Sequence, residues 1–160
     1  MARTTTQHTI VVQSGNLNGV VRREALADEA LTPGHLVRFD ADEELEKHGT
    51  ADGVLVGKLV VLENPTPDTY TYPTTAAIDI PYAANDTCYY AEGVPGDIFN
   101  MILASSVTAV KGISQLVSNG DGTLKVATVG AGTLAGAVVG VADQDVTSGT
   151  ATARCRVRIT

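Results

Sequence analysis

A quarter of this chain is valine or threonine, twenty of each in 160 residues, and that bias constrains the fold more than any motif does. β-branched side chains lose rotamer freedom in helices and pack well on pleated surfaces, so the chain favours strand. Sixteen glycines are spread along it, where they read as turns and bulges between short strands. Hydrophobic residues make up 44%, too many for a disordered chain and enough for a packed core. The length suits one domain, or one domain with an arm.

Residues 1–20, MARTTTQHTIVVQSGNLNGV, are polar and threonine-rich around one apolar triplet, Ile10, Val11 and Val12. They are expected to form an extended N-terminal arm that orders on a partner, with plain terminal disorder as the other reading. Residues 21–160 are expected to form a single β domain. A two-part organisation is open within it, 21–64 and 78–160, joined by a connector at 65–77 that carries Pro65, Pro67 and Pro73. Prolines there argue against a central strand or a helix. The helix formers of 22–31 permit a short helix, but Val20, Val21 and the Pro33-Gly34 turn equally permit strand, turn, strand, which the composition favours. GVLVGKLVVLEN, 53–64, reads as a strand buried on both faces. Residues 88–91 and 98–103 read as strands flanking Pro95-Gly96-Asp97, and Asn119-Gly120-Asp121-Gly122 marks a hairpin.

The two halves share a texture. Leu45, Gly53 and Gly57 have the mutual spacing of Leu124, Gly132 and Gly136. A Leu-Val pair precedes each leucine (36–37 and 116–117), and Glu63 or Asp143 follows each glycine set. Each unit would be a strand, a polar turn, a strand and a glycine-rich strand. A few shared positions in β sequence also arise by chance, so duplication stays open. Either way, short strands with turns at this spacing suit a sandwich or a small barrel.

Charge narrows the partners. The net charge is −7 and the pI about 4.8, so the cationic field that draws proteins to nucleic acid is missing. No apolar run approaches the ~20 residues needed to span a bilayer, and MARTTTQHT lacks a signal-peptide core. Cys88 and Cys155 are too few for a disulfide framework and suit no zinc spacing; Cys88 precedes two tyrosines, Cys155 alternates with Ala153 and Val157, and each reads as a small buried hydrophobe. A protein made in a reducing cytosol, or carried by a particle assembled there, is expected.

The catalytic inventory is thin, and no catalytic, cofactor or metal residue is assigned. His8, His35 and His48 are the only imidazoles, and no serine sits on a nucleophile elbow. Gly130-Ala-Gly132-Thr-Leu-Ala-Gly136 lacks the dinucleotide spacing and context. The acids from Asp40 to Glu46 lack calcium-loop order and read as a solvated turn. Two minor readings stay open: a small-ligand or carbohydrate-binding β module using the tyrosines of 70–90, and an enzyme of β-clip type with His35 or His48 beside a carboxylate. In the closing ATARCRVRIT, alternation puts Ala153, Cys155, Val157 and Ile159 on one face and Arg154, Arg156 and Arg158 on the other. That arginine stripe is either a solvated strand face or a surface pairing with carboxylates of a neighbouring subunit or another protein.

Three stretches carry a likeness: YAANDTCYYAEGVPGDIFNMILASSVTAVKGISQLVSNGDGTLKVA, the upstream ALTPGHLVRFDADEELEKHG and the closing ARCRVRI. Together they resemble tailed-bacteriophage head proteins of the decoration, or cement, type over residues 26–160. The most specific pieces are Pro95-Gly96-Asp97 and Ser118 to Leu124; Asn85-Asp86 departs from the family's usual Gly-Asp. The resemblance implies a non-enzymatic protein of the virion's outer capsid surface, made in the host cytoplasm, that stabilises the expanded shell. It implies a homotrimer whose partner is the major capsid protein, without nucleic acid, membrane or cofactor. The implied fold is mainly β, a small β-barrel or β-sandwich of β-clip or β-tulip type with an extended arm. Contacts are then expected from Thr4, Thr5, Thr6, His8, Ile10, Val11 and Val12 of the arm and from Arg154, Arg156 and Arg158. Another head or tail component of a phage is the alternative within the same class.

Overall fold

The structure is a computed structural model and describes residues 9–15, 19–55, 57–66, 75–128 and 135–160. Five short strands build a first sheet: β2 (Arg23–Leu26), β3 (Leu36–Phe39), β4 (Leu45–Lys47), β5 (Leu59–Val61) and β6 (Thr87–Glu92), in the order β2-β6-β5-β3-β4. A parallel bridge between Ala27 and Leu45 joins its two outer strands, so the sheet curls into a small barrel. A second barrel is built from β7 (Ile98–Leu103), β9 (Gln115–Ser118), β10 (Leu124–Val126), β11 (Val138–Ala142) and β13 (Ala153–Ile159). It closes because β7 pairs with both β10 and β13. Strand β1 (Val11–Gln13) lies against the remaining edge of β7. β8 (Thr108–Ala109) and β12 (Val146–Thr147) form a two-stranded ribbon. The mainly β, barrel-forming expectation holds, and 22–31 carries β2 and a bridge at Leu31 rather than a helix.

The halves repeat one topology. In each, a central strand (β3 or β9) forms a hairpin with the next strand (β4 or β10) and pairs on its other side with a third (β5 or β11). The third pairs with a fourth (β6 or β13), which pairs with the first of its set (β2 or β7). Both hairpins have five-residue loops closed by the same bond: Asp40 N–H to Glu44 O and Asn119 N–H to Thr123 O, each 2.9 Å. Both barrels close with a parallel contact, Ala27 with Leu45 and Leu103 with Leu124. Register then makes Ala25 opposite Cys88 the counterpart of Met101 opposite Cys155. Leu45 and Leu124 are therefore counterparts in a repeat of the whole strand order, whereas the Leu-Val pairs are offset by one residue, Val37 being the counterpart of Leu116.

Inward alternation fills both barrels. Ala27, Val37, Leu45, Val61, Cys88 and Tyr90 make one buried cluster. Their register counterparts Leu103, Leu116, Leu124, Ala142, Cys155 and Val157 belong to the larger one. Leu36, Val60, Leu62 and Ala91 of the first half also join the larger cluster, so one core runs between the barrels. The segment at 65–77 does not divide the sheets. β6 lies beyond it yet completes the first barrel, and the chain changes barrel at Gly93–Asp97, where Asp97 accepts N–H bonds from Val94 and Gly15.

Both cysteines are fully buried and unpaired, and burial pushes each thiol up to about 12. Thiolate is the reactive form. In native protein at about pH 8 neither residue should be alkylated by iodoacetamide, and both should be in urea, as counted by intact mass. Labelling of the native protein would contradict this packing.

Candidate functional site

Two of the three closing arginines, Arg154 and Arg158, meet carboxylates, and those carboxylates are the chain's own. The Arg154 guanidinium lies on a 3₁₀ turn, Ala77–Asp79, donating to Asp79 Oδ1 through Nη2 at 2.9 Å and Nε at 3.2 Å. It also donates to the carbonyls of Ile78 and, at 2.8 Å, Pro33. Its side chain is 17% exposed. It thus ties two loops of the first half to the second barrel. Arg156 donates to Gln144 Oε1 at 3.0 Å, and Arg158 to Asp143 Oδ1 at 2.5 Å. Arg158, 56% exposed, keeps most of its surface in solvent.

Of the expected arm contacts, Thr4, Thr5, Thr6 and His8 lie outside the described residues. Ile10 is fully buried in the core. Its N–H donates to Glu63 Oε2 at 3.1 Å and its carbonyl accepts the Asn100 N–H at 2.8 Å. Val11 is half-buried and Val12 is 40% exposed. Strand addition by this segment occurs within the chain, on β7, so Ile10 serves the chain's own core.

Where β3 and β5 part beyond the Val37–Leu59 pair, a cleft of about 510 Å³ opens at one end of the first barrel. Phe39, Leu59 and Tyr90 line it, with Val54 from the loop after β4 and with Arg23 and Glu92. Phe39 stands edge-on to Tyr90 at 5.5 Å between ring centres. In the second barrel, register puts Phe99, Val157 and Ile159 at the positions of Arg23, Tyr90 and Glu92. All three are buried, so that end is plugged. No local sequence pattern marks this cleft, because it forms only when strands from both sides of 65–77 come together.

Neither described imidazole is hydrogen-bonded to a carboxylate. His35 Nδ1 accepts the Thr32 N–H at 3.1 Å, and His48 Nδ1 lies 2.9 Å from Ser118 Oγ. Burial first, then Lys47, lowers His35 to about 4; burial first, then Arg38, lowers His48. Asp28, Asp40 and Glu44 bring carboxylate oxygens within 4.8 Å of one another, but Asp40 Oδ1 already accepts the N–H groups of Asp42 and Glu44. Those bonds hold the turn. Asp121 Oδ1 does the same for the second hairpin, accepting from Thr123. Tyr82 is buried with its hydroxyl on Leu62 O, Tyr90 is buried, and Tyr89 lies under Arg22. None of these offers a free stacking face; Tyr70 and Tyr72 lie outside the described residues.

Comparison with family models and with curated proteins gives no match. Among solved structures, the chain is similar to the crystal structure of the N base of the head fiber gp8.5 in bacteriophage phi29. The identity is 14%, the alignment covers 89% of this chain and 95% of that one, and the TM-score is 0.53. Identity that low shows a shared fold.

Replacing Arg154 with Ala strands two buried carbonyls and should cost about 2–3 kcal/mol, whereas Arg156→Ala should stay within ~1 kcal/mol, by urea unfolding. His35 sets a pH dependence. Between its ordinary 6.5 and its folded value of about 4, the unfolded chain binds a proton that the folded chain refuses. Unfolding free energy should therefore fall as pH drops through that window, by up to ~3 kcal/mol. His35→Gln should flatten the slope.

Proposed function

We propose that this chain is a structural protein of a phage virion that attaches to the outside of the capsid as a homotrimer, binds the major capsid protein and stabilises the expanded shell. The observation that carries the reading is the fold, which is similar to that of a phage head-fiber N base over 95% of that chain. The likeness of residues 26–160 to decoration proteins points the same way. So does the chemistry: among the described residues no imidazole is poised by a carboxylate, and most polar side-chain bonds hold turns or join the halves.

Physical fit supports the role. Two closed barrels sharing one core resist deformation better than an open sheet. A net charge of −7 suppresses wrong association of an abundant coat protein. Three copies of a modest contact multiply avidity without a large single interface. Since residues 9–13 are committed to β7, the reach toward the capsid falls to residues 1–8, with Thr4, Thr5, Thr6 and His8, alongside the exposed Val12 and Arg158.

The experiment uses expanded shells of the parent phage. Wild-type protein should co-sediment with them and raise the temperature at which they break. A variant lacking residues 2–8 keeps β1 and should bind at least ~10-fold more weakly. Undiminished binding by that variant removes the arm assignment, and no binding by the wild type sinks the function.

A further inference from the structure

We infer that copies of this chain join head to tail, the 110–114 turn of one seated on the open edge of β2 of the next. The basis is a contact that one half of the molecule makes and the other lacks. Along the outer edge of β7, three N–H groups find carbonyls: Asn100 on Ile10 at 2.8 Å, Ile102 on Gly34 at 3.2 Å and Ala104 on Leu124 at 2.8 Å. Register makes Glu24, Leu26 and Asp28 their counterparts along β2. Asp28 donates to Leu45 O at 2.9 Å, as its counterpart does to Leu124. Ala27 donates to Asp86 O beside β6, so alternation turns the N–H groups of Glu24 and Leu26 outward. Among the described residues neither has a backbone partner. An exposed row of unpaired amides is a template for another chain.

The turn that would fill it is also present. Gly34 and Gly112 are counterparts: their N–H groups donate to Val61 O and Ala142 O, each at 2.8 Å, and both have positive φ, 95° and 72°. Gly34 is buried against β7, where a Cβ would lie 2.8 Å from Asn100 O and 3.3 Å from Ile102 Cγ1. A Cβ on Gly112 would meet nothing within 4 Å, and among the described residues no backbone N–H reaches its carbonyl. One half has a turn without a seat, and the other has a seat without a turn.

The two surfaces match in chemistry. Ile113 is 75% exposed and Val110 41%, facing Leu26 at 46% on the other side. Lys111 adjoins Gly112, and the exposed Glu24 has no ion pair among the described residues. Thr87 stands opposite Leu26 as Arg154 stands opposite Ile102, which puts a hydroxyl donor where Arg154 holds the Pro33 carbonyl. In the joined pair Gly112 O accepts the Leu26 N–H, Ile113 covers Leu26, and Lys111 pairs with Glu24. The surfaces share no residue, so the contact is heterologous and closes as a ring or runs on as a filament. The ring of three rests on the function proposed above; the contact itself does not.

The test is sedimentation and native mass measurement of the full chain. Wild type should self-associate. Leu26→Pro removes only an outward N–H, which an edge strand tolerates, and should weaken association at least ~10-fold with the melting transition retained. Lys111→Glu and Glu24→Lys should each weaken it, and the double swap should restore it. A monomeric wild type, or Leu26→Pro and Lys111→Glu variants that associate like wild type, overturns the contact. Shell binding is scored separately. A monomer that binds shells overturns the contact alone, and an oligomer of the expected behaviour that ignores shells overturns only the virion role.

Discussion

A backbone amide removed from water without a partner costs about 1–3 kcal/mol, and β7 is the strand on which that penalty falls hardest. All six of its residues are buried. One edge is satisfied by the ladder to β13. The other is met by carbonyls from three separate places: the N-terminal strand, the first half's proline-glycine turn and the second hairpin. Asp97, just before β7, binds the N–H groups of Gly15 and Val94, and the Asn100 side chain holds Thr9 O at 2.6 Å. The halves and the N-terminal segment are joined there because no arrangement lacking any of the three leaves β7 paired.

The repeat explains the division of labour between the barrels. Strand order, hairpin length, closing contact and buried cysteine recur, but the corresponding ends have diverged. Phe99, Val157 and Ile159 seal the second barrel, while Arg23, Tyr90 and Glu92 leave a cleft in the first. The second half carries the structural load, with Ile10 packed against it and its own Arg154 clamped on two loops of the first half. Both halves keep exposed apolar positions, Val21, Leu26, Phe39 and Val54 in the first and Val110 and Ile113 in the second. Exposed apolar surface rimmed by charge is where a partner is expected.

Much of this was legible in the residues. Asn119 to Gly122 and Pro95-Gly96-Asp97 turn where turn chemistry demands, and alternation in 153–159 placed Cys155 and Val157 inward. Leu45 and Leu124 marked the repeat. The prolines of 65–77 report the absence of a central strand but not which sheet the next strand joins, and β6 beyond them completes the first barrel. For the site, alternation showed that the arginines share a face and left their partners open. Asp79, Gln144 and Asp143 lie on other elements. Ile10 read as part of an arm because local polarity around it hides a long-range contact with β7.

By itself the sequence determined the element type and the turns, since β-branched content, period-two alternation and glycine placement act over a few residues. It also determined that both barrels have apolar interiors. Tertiary structure alone decided which edges are paired, which barrel end is plugged and where Arg154 lands. Those outcomes depend on hydrogen bonds between residues 53 to 121 positions apart in the chain, and no local pattern encodes a partner at that distance.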